Sequence, residues 1–315
     1  MNVERTTSSH RHRVRSASRA IAAFAVASIG LAAATSVSAA TLDRIKESGH
    51  IKFGYLDSAP PLSYKNKDGT AEGYGITLCE HIADAVKTQL GLSQLTVDWV
   101  PVTLEDRLQQ VKQGNIDLLC TPTIETLSRR QEVSFSVSVF AGGNRAVVRA
   151  DAAAALRNAL AEHPDAKPVW RGSPAAKLLE NTTFAVVSGT TTEAWLKERA
   201  ATFQVNAKVT PVADYRSGLH ELADGKVSVF FGDRALILGA MDDATRPKLA
   251  ILNRLFTHEQ SALALARGDE DFRLAVDSAL SQLYASDGFA DLVKKWAGSY
   301  DDRASAYFQW MTLGQ

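Results

Sequence analysis

Apolar residues along this chain fall into two alternating kinds of run. Residues 50–56, 95–100 and 116–120 are short, mostly apolar stretches bounded by Gly, Pro or polar residues, the pattern of strands buried in a sheet. Between them lie amphipathic stretches. Ile76, Cys79, Ile82, Ala83, Val86 and Leu90 recur at helical spacing before Gly91, and Leu104, Leu108 and Val111 do so before Gly114. This βαβα rhythm with short connections predicts a mostly parallel sheet covered by helices. A second series follows: a strand at 184–187, a helix from Thr191, a strand at 205–212, a helix at 215–223 ended by Gly225, and a strand at 227–231. Residues 140–149 read as one strand, 152–162 as a helical piece in an Ala- and Pro-rich stretch, 261–266 as a strand and 272–296 as helical. Two α/β lobes are expected, joined by two crossing segments near 139–148 and 257–266. Such a hinge permits closure on a ligand.

Composition narrows the class. With 315 residues, 45% of them hydrophobic and 22% charged, the chain is no disordered, collagen-like or polytopic membrane protein. Arg5, Arg11, Arg13, Arg15 and Arg19 precede an uncharged Ala-rich run at 20–34 and the small residues Ser36, Ser38, Ala39 and Ala40, the order of zones in a secretory signal peptide. Cleavage after Ala39 or Ala40 is expected. It removes five of 35 basic residues and one of 35 acidic ones, leaving 30 against 34, or −4. No basic patch suggests nucleic acid. The expected division is a signal peptide at 1–40, a first lobe at 41–141 resumed at 257–297, a second lobe at 142–256 with an insertion near 150–180, and a tail at 298–315. Cys79 and Cys120 could pair in an oxidising compartment or stay buried as thiols, and the sequence leaves both open. No spacing of His or Cys suggests a metal, and no cofactor is expected.

Three constellations carry candidate chemistry. Ser188-Gly189-Thr190-Thr191-Thr192-Glu193 joins a buried strand to a helix, which suits either a bound carboxylate at the helix N-terminus or plain capping. Asp233 ends the strand Phe230-Phe231-Gly232, where it could receive an ammonium or cap the next helix. Arg129, after Thr121-Pro122-Thr123, could clamp a carboxylate or pair with Glu132 on the surface. No nucleophile elbow, Walker loop or complete dinucleotide fingerprint is present.

The run GYLDSAPPLSYKNKDGTAEGYGITLCEHIADAVK (54–87) resembles the opening of periplasmic polar amino-acid binding proteins of bacterial ABC importers, and CTPTIETLSRRQEVSFS (120–136), SGTTTEAWL (188–196) and FFGDRALILG (230–239) resemble three further signatures of that family in order. The resemblance covers about residues 42–297. It implies a two-lobed type II periplasmic binding protein fold and a monomer that delivers a free amino acid to a membrane permease. By position, Arg129, Thr190 and Thr191 would hold the α-carboxylate, and Asp233, with oxygens around Thr121 and Thr123, the α-ammonium. Ser63 and Tyr64 would line the side-chain pocket. The glutamate/aspartate-binding branch is the most similar, and Arg145 fits its basic side-chain contact. Leu56 and Tyr215 stand where that branch tends to carry Arg and His, and Gly75 where the family usually has an acid. An acidic or a neutral polar amino acid is therefore expected. The alternatives are a secreted enzyme of the same fold, similar to cyclohexadienyl dehydratase, and a soluble sensory receptor.

Overall fold

The strands pair into two separate larger sheets. The computed structural model describes residues 41–161, 174–202 and 206–314; the expected signal peptide and the middle of the 150–180 insertion lie outside the described residues. The first lobe begins with α1 (Thr41–Ser48), β1 (His50–Leu56), β2 (Ser58–Ala59), β3 (Ser63–Lys65), β4 (Ala71–Glu72) and α2 (Tyr74–Gln89). It continues through β5 (Thr96–Val102), α3 (Arg107–Lys112), β6 (Leu118–Ile124), α4 (Leu127–Arg130), β7 (Ser134–Phe135) and β8 (Phe140–Gly142). The second lobe holds β9 (Asn144–Arg149), α5 (Ala154–Leu160), α6 (Pro174–Glu180), β10 (Thr183–Val187), α7 (Thr191–Thr202) and β11 (Lys208–Val212). It ends with α8 (Tyr215–Ala223), β12 (Val229–Asp233), α9 (Arg234–Ala240) and β13 (Leu249–Ile251). The chain returns as β14 (Glu259–Leu265), α10 (Glu270–Tyr284), α11 (Phe289–Ala297) and α12 (Asp302–Met311).

The first sheet has the order β5-β1-β6-β14-β7, with β8 also on β14, and the second β11-β10-β12-β9-β13. β1 runs parallel to β5 and β6, while β14 returns antiparallel to β6. The chain crosses between sheets twice, at Gly143 and between Ile251 and Glu259. Residues 140–149 are therefore two strands in different sheets rather than one. The break has a tertiary cause. Gly143 sits at φ +153°, and a Cβ there would come within 1.9 Å of the Thr257 carbonyl oxygen on the other crossing segment. Only glycine fits, so the two crossings lie against each other.

The apolar face of α2 behaves as its spacing predicts: Ile76, Cys79, Ile82, Ala83 and Val86 are buried beside Ile51, Phe53 and Leu118. Cys79 and Cys120 form a disulfide that ties α2 to β6. This close seating explains Gly75, since a Cβ there would meet the Cys120 carbonyl oxygen at 1.9 Å. An acidic side chain has no room. The expected C-terminal tail instead contains α12, whose Phe308 packs against Tyr284 and Phe289 and whose Tyr307 hydroxyl donates to Ser138 Oγ. Among the described residues no helix is long and apolar enough to cross a membrane.

Candidate ligand-binding site

The two sheets face a cleft in which two cavities open side by side, of about 1240 and 560 Å³. The larger exceeds the roughly 300–1,000 Å³ usual for a small-molecule pocket. The smaller collects the chemistry. Thr121, Thr123, Arg129, Thr190, Thr191, Tyr215 and Asp233 all border it, and Arg145 borders the larger one.

Arg129 lies on the short helix α4, which Thr126 caps by accepting from Arg129 N at 3.2 Å. Its guanidinium turns back so that Nη1 donates to the Ile124 carbonyl at 2.7 Å. The surface pair with Glu132 does not form; Glu132 lies 3.8 Å from Lys112 instead. Burial pulls the Arg129 pKa down, with the Glu259 charge acting in the opposite sense.

A second guanidinium joins it, and sequence reasoning missed it. Arg107 is only 6% exposed and borders the same cavity. Burial first, then the neighbouring Arg129 charge, lower its pKa to about 10, while Asp106 acts the other way. Both arginines remain cationic at neutral pH. Among the described residues no carboxylate lies in ion-pair contact with either. Two like charges at one cavity, Arg107 buried and Arg129 half-buried, with no carboxylate in ion-pair contact, form a site prepared for an anion. A sequence signal existed: Arg107 falls on the same helical face as Leu104, Leu108 and Val111, at positions i, i+3, i+4 and i+7.

At the start of α7 the three threonines divide their work. Thr190 Oγ1 donates to the Val187 carbonyl at 2.7 Å and accepts from Glu193 N at 3.2 Å. Glu193 reaches back to accept from Gly189 N at 2.8 Å, one residue before the cap. Thr192 donates to Asn144 Oδ1 at 2.7 Å. The Thr191 hydroxyl is buried with no hydrogen-bond partner, at a helix end whose first N–H groups also lack intrahelical acceptors. Capping and an open anion position thus coexist on adjacent residues.

Asp233 likewise does two things. Oδ1 accepts from Ala235 N at 2.7 Å, capping α9, and Oδ2 accepts from Gly143 N at 3.0 Å. Burial raises its pKa, and the backbone donors and Arg145 only partly offset this. Burial also raises the Tyr215 phenol, with the Asp233 charge adding to it; its ring packs edge-on to Phe230 with centroids 5.6 Å apart. The Arg145 guanidinium donates to the Asn253 carbonyl.

Ser63 and Tyr64 are not brought to the cleft. Ser63 is fully buried; its hydroxyl donates to the Leu56 carbonyl at 2.8 Å and lies 2.6 Å from Thr121 Oγ1. Thr121 Oγ1 in turn accepts from Leu56 N at 3.0 Å. Ser63 therefore braces a cleft residue instead of lining the pocket. Tyr64 follows it in β3 and points the other way, as strand alternation requires, to pack edge-on to Trp296 at 6.5 Å.

Known proteins share this architecture. The chain is 28% identical to an L-glutamate/L-aspartate-binding protein of Pseudomonas aeruginosa, over 81% of this chain and 79% of that one. It is 26% identical to a glutamate/aspartate import solute-binding protein of Escherichia coli, over 90% and 88% of the two. Among solved structures, an ancestral amino acid-binding protein described as a precursor of cyclohexadienyl dehydratase matches with a TM-score of 0.65 at 22% identity, covering 82% of this chain and 99% of its own. The sequence pattern of the bacterial extracellular solute-binding proteins, family 3, spans residues 51–299 of this chain, which belongs to that family.

Proposed function

We propose that the chain is the periplasmic receptor of an amino-acid ABC importer, that its ligand is an acidic amino acid, and that it catalyses no reaction. The observation that carries this reading is a pair of guanidiniums, Arg107 buried and Arg129 half-buried, sharing one cavity with Asp233. A dicarboxylic amino acid has two anionic ends and one cationic end, and the cavity offers matching groups. Arg129 and the Thr191 end of α7 hold the α-carboxylate by charge-assisted hydrogen bonds. Asp233, beside Thr121 and Thr123, takes the α-ammonium. Arg107 meets the side-chain carboxylate and supplies the positive charge that Leu56 and Tyr215 do not, with Arg145 near the cleft mouth. The names of the relatives, which bind glutamate and aspartate, support the same choice. Closure about the two crossings would then enclose the ligand and present both lobes to a membrane permease.

The test is a thermal-shift panel of L-amino acids on protein unfolded and refolded to strip carried ligand. Ligand at about 100 times its dissociation constant stabilises by about 2.7 kcal/mol, or roughly 5–10 °C for a chain of this size. A shift with L-glutamate or L-aspartate is expected. A shift confined to neutral amino acids would overturn the acidic assignment. The likeness to a dehydratase precursor keeps one rival reading, in which a cleft carboxylic acid serves as general acid. Turnover of prephenate or arogenate by the purified chain would establish that rival.

A further inference from the structure

Glu259 stands where the second crossing segment enters the first sheet. β14 pairs with β8 so that Glu259 lies opposite Gly142, and β12 pairs with β9 so that Asp233 lies opposite Asn144. The passage Gly142-Gly143-Asn144 is thus flanked by one carboxylate on each side. Asp233 Oδ2 accepts from Gly143 N at 3.0 Å, and Glu259 Oε1 accepts from Asn144 Nδ2 at 3.4 Å. Both acids border both cavities. The fold leaves Glu259 poorly compensated. Its neighbours are a long hydrogen bond from a neutral amide and the Thr257 side chain, and Arg129 acts on it without ion-pair contact. Burial holds its pKa up, and the Asp233 charge adds to that. A half-buried carboxylate in this state is satisfied when a cation arrives.

We propose that Glu259 is the second carboxylate of the ammonium site, so that the α-ammonium of the ligand is held between Asp233 and Glu259. The chemistry fits, because an alkylammonium carries three N–H donors and one carboxylate cannot take them all in good geometry. The consequence is selectivity. A 2-hydroxy acid of the same shape brings no cation, and it leaves two carboxylates facing each other and a hydroxyl. A docked ammonium also opposes the rise that burial gives both carboxyls, and so favours their charged forms. The other charged or titratable groups facing the pair are Arg129 from α4, Arg145 from β9 and Tyr215 from α8. The exposed His258 precedes Glu259 in the chain.

This inference rests on the amino-acid reading, and its test separates the two. Glu259→Gln keeps an acceptor for Asn144 and removes only the charge. Calorimetric titration at pH 7 with L-glutamate and with 2-hydroxyglutarate gives a selectivity ratio for each protein. The expected result is a loss of L-glutamate affinity of tenfold or more in Glu259→Gln, with 2-hydroxyglutarate binding changed less than threefold. Glu259→Asp, which keeps the charge on a shorter stem, should lose less. Equal losses for both ligands would mean that Glu259 only shapes the hinge, and an unchanged ratio would overturn the proposal. If the wild-type chain ignores L-glutamate, the acidic assignment fails; the same ratio is then read with L-glutamine and its 2-hydroxy counterpart.

Discussion

The two walls of the cleft are built differently. The first-lobe wall carries its charge on Arg107 and Arg129, which hang from short helices over a framework that the Cys79–Cys120 disulfide and the Ser63–Thr121 contact hold together. Its charged groups are separate from that framework, and of the framework residues named Thr121 alone also borders the cavity. The second-lobe wall combines the two duties. Asp233 caps α9 while it faces the cavity, and Thr190 is taken up by capping while Thr191, one residue on, has no partner. Groups left without a partner inside a folded chain cost stability, so they identify what the fold reserves for something else. By that criterion Arg107 and Thr191 are the most informative residues in the cleft.

The comparison can be broken most directly at the first-lobe framework. Replacing both cysteines by Ala opens a link between residues 41 positions apart, and loop entropy predicts a loss of about 4 kcal/mol. Urea unfolding should show that loss, with ligand affinity changed far less than stability. An affinity collapse at intact stability would mean that framework and site are one unit.

Next in size are the arginines. Arg129→Met should weaken L-glutamate binding at least a hundredfold, about 2.7 kcal/mol, by calorimetry. Arg107→Met should do the same for L-glutamate while leaving L-glutamine within about threefold, because the second carboxylate alone depends on it.

Acid titration sharpens the second-lobe side. The Asp233 and Glu259 carboxyls are raised by burial. Their contribution to the stability of the empty protein is therefore full below the unfolded values, about 4, and is lost as pH rises through the folded ones. Glu259→Gln should accordingly match the wild type in melting temperature near pH 4 and exceed it at pH 7. Ligand affinity should move the opposite way in the wild type, rising with pH over that window as the carboxylates ionise. A variant that is less stable at pH 7 would contradict this.

The smallest effects separate neighbours on α7. Thr190→Ala should cost about 1 kcal/mol of stability as a lost cap with affinity nearly intact. Thr191→Ala should leave the melting temperature alone and reduce affinity several-fold.

The sequence shows why some of this could be read in advance. Helical spacing in α2 and the βα alternation depend on local pattern, and both appear in the structure. The passage at Gly143 could not be read, because nothing local in 140–149 says that its two halves join different sheets; the reason is the approach of Thr257, over a hundred residues away. Tyr64 was placed in the pocket by resemblance alone, whereas strand alternation already set it opposite Ser63. Arg107 was legible in principle from its helical face, although an arginine after Asp106 also reads as an ordinary helix surface. Glu259 was not legible, since its meaning lies in the register of β14 on β8.

The central claim is that the paired guanidiniums select a second carboxylate. Its most direct test is calorimetric titration of ligand-stripped wild-type protein with L-glutamate and L-glutamine, which differ only in that group. The account predicts that L-glutamate binds at least tenfold more tightly and that Arg107→Met removes the difference. Equal binding of the two, or tighter binding of L-glutamine, would contradict it.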